Sequence, residues 1–325
     1  MTLMQPLSVD RIYLEERTGH GMACPLLSDD IADYPDGIIL PVDKPYRWTS
    51  ADVIRKIKFA ATRYFRKKNL KVGHAGTLDP LATGVLLVCI GKATRLAEEL
   101  QSHDKEYIAG ITFGATTPSY DLEKEIDGTF PHGHISEDLI KKTLPDFIGE
   151  QQQIAPLFSA KSIDGVRAYE LARKIYRRHI EGRKEEDGGA GAEMLDQTAA
   201  GLIRTANITI TEASLLRFWP QGRNDGTAQY PLSAGQDTER ESRIKVADNS
   251  GLHLPEALIR IRCSKGTYIR AFARDLGEAV GSGAHLSSLQ RSRSGQYRVE
   301  NALDIHSATA IFSTAATSRQ ETPSL

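Results

Sequence analysis

The apolar residues of this chain gather in runs of strand length, not in the long periodic stretches that a helical bundle needs. "GIILPVDKP" (Gly37 to Pro45), "GVLLVCIG" (Gly84 to Gly91), "KEYIAGITFG" (Lys105 to Gly114), "NITITEASLLRFW" (Asn207 to Trp219) and "EALIRIRCS" (Glu256 to Ser264) are bounded by glycine, proline or polar residues and read as strands. The second is apolar without alternation, which marks a strand buried on both faces, while in the third Tyr107, Ala109, Ile111 and Phe113 share a face. Helices fall irregularly between them. In "TSADVIRKIKFAATRYFRKK", Thr49 with Asp52 three residues on forms a capping-box-like start, and Val53, Ile54, Ile57, Ala61 and Tyr64 recur at helical spacing. Further helices are expected from Ser136, as N-cap, to about Phe147, from Gly165 to Arg178, and through "YIRAFARDLGEAV". Strands and helices without strict βαβ alternation predict an α+β fold.

Ordered structure is expected to begin near Gly37, which leaves residues 1–36 as a partly irregular N-terminal extension. Residues 37–312 read as one catalytic domain carrying insertions near 181–200 and 222–246, whose Gly, Asp, Glu and Ser content marks surface segments. Residues 313–325 read as a tail.

Lys+Arg 41 against Asp+Glu 42 argues against a protein that coats nucleic acid or membrane indiscriminately, so any polyanion site must be local. One local patch exists. The helix after Thr49 carries Arg55, Lys56, Lys58, Arg63, Arg66, Lys67 and Lys68, followed by Lys71, on its other face, with almost no acid; Lys174, Arg177 and Arg178 would extend the track. Cys24, Cys89 and Cys263 are odd in number, far apart and lack a C-x-x-C spacing, which indicates neither a disulfide framework nor structural zinc. The first residues have no apolar signal-peptide core, and no apolar run is long enough to span a bilayer. A soluble, cytoplasmic protein is expected.

The chemistry centres on "GHAGTLDPLATGVLLV", where Asp79 sits among Gly73, Gly76, Pro80 and Gly84. Taken alone, an aspartate before proline in such a loop is more often a turn residue than a catalyst. A second stretch, "CSKGTYIRAFARDLG", places Lys265, Tyr268 and Arg270 at the junction of a strand and a helix, where side chains can be presented to a cleft. Each residue is ambiguous by itself.

Together these blocks resemble the bacterial TruB-type tRNA pseudouridine synthases, which isomerise the uridine at position 55 in the T loop. The resemblance runs in order through "GIILPVDKP", "GHAGTLDPLATGVLLVCIGKATRL", "KEYIAGITFG", "IAPLFSAKSIDGVRAYELAR", "IRCSKGTYIRAFARDLG" and "GAHLSSLQRSRSGQY". Its most specific part is G-x-L-D-P-x-A-x-G, present as Gly76, Leu78, Asp79, Pro80, Ala82 and Gly84. The resemblance implies a pseudouridine synthase catalytic fold, with a mixed, mainly antiparallel sheet flanked by helices around a central cleft. It implies that Asp79 is the catalytic aspartate, that Tyr107 stacks on the target base, that Arg270 pairs with the catalytic carboxylate, and that His74 enters the space left in the T loop. Tyr268 and Lys265 would support the active site, and Arg63, Arg66 and Lys67 would contact RNA.

That reaction breaks the C1′–N1 bond, turns the uracil and joins C1′ to C5, with no redox change and no group lost, so no cofactor or metal is expected. It needs a carboxylate near C1′, as nucleophile or to assist a glycal intermediate, and a dry pocket for the detached base. The expected partner is the T arm of tRNA, with no membrane, no obligatory protein partner and a monomeric chain. Family members commonly continue into a C-terminal PUA-type RNA-binding domain; none is expected in the short stretch after Arg298. Two alternatives stay open: an RNA chaperone in which catalysis is dispensable, and the same chemistry on another RNA, as in the guide-dependent relatives.

Overall fold

The computed structural model describes residues 5–18, 27–156, 162–163, 166–167, 205–223 and 244–313. They form two compact units: one takes the described residues up to Gln101 and those from Arg293 onward, the other those from Ser102 to Ser292.

The first unit is built on β4 (Ala82–Ile90), all nine residues of which are buried, Thr83 included, as the unbroken apolar run from Gly84 to Ile90 requires of the rest. β2 (Ile38–Lys44) lies antiparallel to it from Ile38↔Ile90 to Lys44↔Gly84, and β3 (Val72–Ala75) pairs with it antiparallel from Val72↔Ile90 to Ala75↔Leu87. Order starts earlier than Gly37. β1 (Leu7–Ser8) adds to β2 in parallel, Leu7 opposite Ile38, and α1 (Arg11–Thr18) follows it; a two-residue strand and a two-turn helix are too short to show periodicity. α2 (Ser50–Tyr64) starts as its sequence predicts. The Thr49 side chain accepts a hydrogen bond from the Asp52 amide, and the Asp52 carboxylate accepts one from the Thr49 amide. Val53, Ile57, Ala61 and Tyr64 are its buried row. Tyr64, Phe65 and Phe312 meet edge to face with centroids 5.1–6.0 Å apart, which ties the end of α2 to the short helix Ile305–Ala310.

In the second unit the strand order is β9 (Ala284–Ser294, within this unit to Ser292), β5 (Lys105–Phe113), β8 (Glu256–Cys263), β7 (Thr205–Trp219) and β6 (Gly149–Ile154). The β5–β8, β8–β7 and β7–β6 pairs are antiparallel, and β7 shifts register against β8 at two irregularities, between Ile210 and Glu212 and between Leu215 and Arg217. α3 (Glu137–Thr143) is capped by Ser136, whose Oγ accepts from the Leu139 amide at 3.3 Å; Pro145 then turns the chain into a 3-10 segment to Phe147. α4 (Ile269–Ala279) packs Phe272 against Phe147 at 5.2 Å. It lies so close to β9 that a Cβ on Gly277 would come within 2.6 Å of the Ala284 nitrogen. Strand pairing is thus mainly antiparallel and helices accompany the sheet, an α+β fold as expected.

The helix expected from Gly165 does not begin there: Val166–Arg167 pair antiparallel with Ser162–Ile163 in a short hairpin. The rest of that segment, with Lys174, Arg177 and Arg178, lies outside the described residues, as do Cys24, nearly all of both expected insertions and the tail beyond Ser313. Cys89 and Cys263 are free, buried thiols whose pKa burial pushes up to about 11. No helix among the described residues is long and apolar enough to cross a membrane.

Candidate active site

Asp79 lies in the connection between β3 and β4, and the main chain closes its turn, the Ala82 amide donating to the Asp79 carbonyl at 3.1 Å. Pro80 presets the second position of that turn. The left-handed φ of Gly76 (+86°) and Gly84 (+96°) bends the chain on either side, a conformation that side chains with a Cβ resist. Two further residues clamp the loop. Lys44, fully buried at the end of β2, donates from Nζ to the carbonyls of Pro45 (3.0 Å), Trp48 (2.6 Å) and Pro80 (3.2 Å). Ser50, in the first turn of α2, accepts from the Leu78 amide at 3.0 Å, and its Oγ lies 3.2 Å from the Leu78 carbonyl. The residues before and after Asp79 are therefore both fixed, and Asp79 itself is half-buried. His74 is half-buried on β3 opposite Val88, five positions before Asp79.

Beside Lys44, Asp43 accepts from the Gly84 amide at 2.9 Å, and burial raises its pKa from 3.8 to about 6 against that bond and the Lys44 charge. A carboxyl whose folded pKa lies above its unfolded one binds protons more tightly in the fold. Its contribution to stability is full below pH 3.8 and is lost as pH rises through about 6. The stability difference between the wild-type chain and Asp43→Asn should therefore shift by on the order of 1–3 kcal/mol from pH 4 to pH 7 in denaturant titrations, the wild type gaining at the acid end. Parallel curves would contradict this.

The second unit holds the other candidates. Tyr107 is buried on β5 opposite Ile261 of β8. Lys265 is exposed just past β8, and half-buried Tyr268 is the N-cap of α4. No side chain of the N-cap residue caps α4; instead the buried Gln153 of β6 anchors the N-cap residue's own backbone. Its Oε1 accepts from the Tyr268 amide at 2.8 Å and its Nε2 donates to the Tyr268 carbonyl at 3.1 Å. This fixes the start of the helix that presents Arg270, which is 5% exposed. Arg270 donates to the Ser119 carbonyl at 3.2 Å, and its Nε lies 3.8 Å from the buried carboxylate of Asp121. Asp121 also accepts from Ser119 Oγ (2.6 Å) and the Glu123 amide (3.0 Å). Between them Tyr120 is held at a φ of +55°, costly for an aromatic residue, with its carbonyl accepting from the Leu286 amide and its ring under the Arg274 guanidinium. On β5, two residues before Tyr107, Lys105 is lowered by burial and then by the Arg291 charge to a pKa of about 8.

The expected RNA-binding residues are exposed in the first unit, Arg63 in the last turn of α2 but Arg66 and Lys67 past its end at Tyr64, not on the helix as expected. Arg63 stacks over Phe59 at 5.3 Å, Arg66 pairs with Asp29 at 3.3 Å, and Arg55 pairs with Asp52, so the acid that the sequence hardly shows near α2 comes from its own cap and from an earlier segment. Among the described residues, no three His, Cys, Asp or Glu side chains are gathered as a metal site.

Residues 62–186 match the family profile described as TruB family pseudouridylate synthase (N terminal domain). The tRNA pseudouridine synthase B of Phocaeicola vulgatus (strain ATCC 8482) is 42% identical over 278 residues, 85% of this chain and 93% of that protein. The chain belongs to the TruB family of pseudouridylate synthases. Other proteins of the same name agree: that of Bacteroides thetaiotaomicron is 44% identical over 84% of this chain and 91% of its own length, and that of Deinococcus deserti 34% over 82% and 77%. A chain from the crystal structure of a Cbf5-Nop10-Gar1 complex is 25% identical with a TM-score of 0.48; the match covers 82% of this chain and about half of that one, 52%.

Within this TruB-family chain the structure thus gathers the candidates in two groups, Asp79 and His74 with the basic helix in the first unit, and Tyr107, Lys265, Tyr268 and Arg270 in the second. Lys44, Ser50, Gln153 and Asp121 join them as residues that hold the candidates in place, none of which sequence reasoning singled out. Of these only Lys44 carried a signal, a cation beside Pro45 at the end of an apolar strand.

Proposed function

We propose that this chain isomerises uridine to pseudouridine in the T loop of tRNA, at position 55, with Asp79 as the carboxylate that attacks C1′ or assists glycal formation. The observation that carries this reading is the doubly clamped loop: Lys44 on Pro80 and Ser50 on Leu78 hold the backbone on both sides of Asp79 while the turn itself needs only main-chain atoms. A carboxylate fixed in this way meets the reaction's need for a group held at one position through bond cleavage, base rotation and re-joining. The relatives named tRNA pseudouridine synthase B support tRNA as the substrate.

In the proposed sequence the target uridine is extruded from the T loop, and His74 fills part of the space it leaves, which lowers the cost of unstacking. By the family resemblance Arg270 is the guanidinium proposed to attend the catalytic carboxylate; within its own unit it pairs with Asp121. The C1′–N1 bond breaks and the uracil turns against the face of Tyr107. C1′ then bonds to C5, which gives up its proton while N1 gains one, so that atoms balance within the nucleotide. The Tyr107 hydroxyl is the group proposed to move a proton in these later steps. Tyr268, the N-cap of α4, and Lys265, three residues before it, are the proposed supporting residues. On this reading the chain works as a monomer in the cytoplasm, without cofactor or protein partner.

Mapping pseudouridines in total RNA from cells with and without the gene tests the proposal. Loss confined to position 55 of tRNAs supports it; an unchanged map contradicts it. The basic face makes a separate prediction: replacing Arg63, Arg66 and Lys67 together with Gln should weaken binding to all RNA loops alike and lower the salt slope of log K by about 0.7–0.9 for each phosphate that is no longer neutralised. An unchanged slope would make the face merely solvated.

A further inference from the structure

Phe59 is 66% exposed, the largest exposure of any large apolar residue among the described residues. On an ideal helix it points directly away from the buried row of Val53, Ile57, Ala61 and Tyr64, at the centre of the outward face of α2. A single exposed apolar residue is ordinary. Phe59 differs in its surroundings, since every charged side chain near it on that face except Asp52 is a cation. Lys56 precedes it by three residues, Lys58 is adjacent, and Arg63 follows by four with its guanidinium 5.3 Å from the ring centroid. That cation lies over the ring, and two thirds of the residue's surface remains exposed.

We propose that the Phe59–Arg63 pair is a stacking site for an unpaired nucleobase of the RNA substrate, with Lys56 and Lys58 holding the flanking phosphates. This rests on the RNA-modifying function proposed above and goes beyond it, because it turns a diffuse basic face into a site that selects unstacked nucleotides. The RNA-modifying function proposed above and the charge of the face favour a splayed nucleotide, which offers a π-face and a phosphate together. Insertion of the ring beside its cations at a lipid surface is the alternative that the test below addresses. The position of the site distinguishes it from the reacting uridine. Ser50, which clamps the Asp79 loop, and Phe59 are nine residues apart on one helix, a rise of about 14 Å. The stacked base is therefore a second nucleotide.

The test measures dissociation constants of the full chain for an unmodified tRNA transcript over a range of salt, with Phe59→Ala, Phe59→Leu and Phe59→Trp. Leu keeps apolar area without a π-face, and Ala is the better helix former at this exposed site, so neither change threatens the fold. Phe59→Ala and Phe59→Leu should both weaken binding by roughly five- to a hundredfold with the salt slope unchanged, while Phe59→Trp should bind at least as tightly as wild type. Wild-type affinity in Phe59→Ala, or in Phe59→Leu, would overturn the proposal. So would loss of self-association or of vesicle binding in Phe59→Ala with RNA affinity intact, which would assign the ring to a protein or lipid contact. Pseudouridine formation by the wild-type chain, measured alongside, separates the two readings: its absence would count against the proposed function, whereas the Phe59 arms report binding only.

Discussion

Asp79→Asn should leave the chain folded and able to bind RNA but reduce single-turnover pseudouridine formation by at least about a thousandfold. The substitution keeps the size of the side chain and most of its hydrogen-bonding capacity while removing the charge that either route at C1′ requires. Asn is as competent as Asp in a turn of this kind, and the hydrogen bond that closes the turn runs from the Ala82 amide to the Asp79 carbonyl, not to its side chain. A structural Asp79 would therefore tolerate the change. Affinity should be retained, and could rise where the carboxylate repels a phosphate, because phosphate contacts and stacking carry the binding. A variant that keeps roughly a tenth of the wild-type rate, free of host enzyme, would remove Asp79 from the chemistry.

Lys44→Met should have the largest effect on stability. The side chain is fully buried and its amine donates to three carbonyls, so Met fills the volume but leaves the oxygens of Pro45, Trp48 and Pro80 without that donor. Leaving a buried acceptor without its donor costs about 1–3 kcal/mol, and here three carbonyls lose theirs, against at most a few tenths for Lys58→Met on the exposed face of α2. Because Pro80 follows Asp79, the protein that remains folded should also turn over more slowly, as its carboxylate is no longer held at one position. Denaturant titration gives the first quantity and single-turnover kinetics under folding conditions the second. A Lys44→Met chain as stable as wild type would show that the three hydrogen bonds contribute nothing to the fold.

What the sequence made legible was what is encoded locally. The Thr49–Asp52 cap, the buried row of α2, the apolar run of β4 and the turn at Asp79–Pro80 each depend on residues within a few positions of one another, and each is found where expected. The residues that hold the site were not legible because their partners are remote. Gln153 meets the backbone of Tyr268 across 115 positions, Arg270 meets the Ser119 carbonyl across 151, and Lys44 reaches Pro80 across 36. Asp121, in "TTPSYD", reads as one more turn residue until Arg270 is brought beside it. Periodicity also failed where elements are very short: Leu7–Ser8 pair with β2 although nothing in their sequence announces a strand, and Val166–Arg167 join a hairpin at the point where a helix was expected to begin. In both cases backbone pairing with a neighbour decides the conformation of two residues, and a two-residue strand leaves no pattern to read.

The most direct measurement is a site-resolved map of pseudouridine in an unmodified tRNA transcript after incubation with the purified chain. One pseudouridine is expected, at position 55 in the T loop, formed without added cofactor and absent when Asp79→Asn replaces the wild-type chain. A transcript that remains unmodified, a product at another uridine, or formation that persists in Asp79→Asn would contradict the assignment of Asp79-dependent isomerisation to this chain.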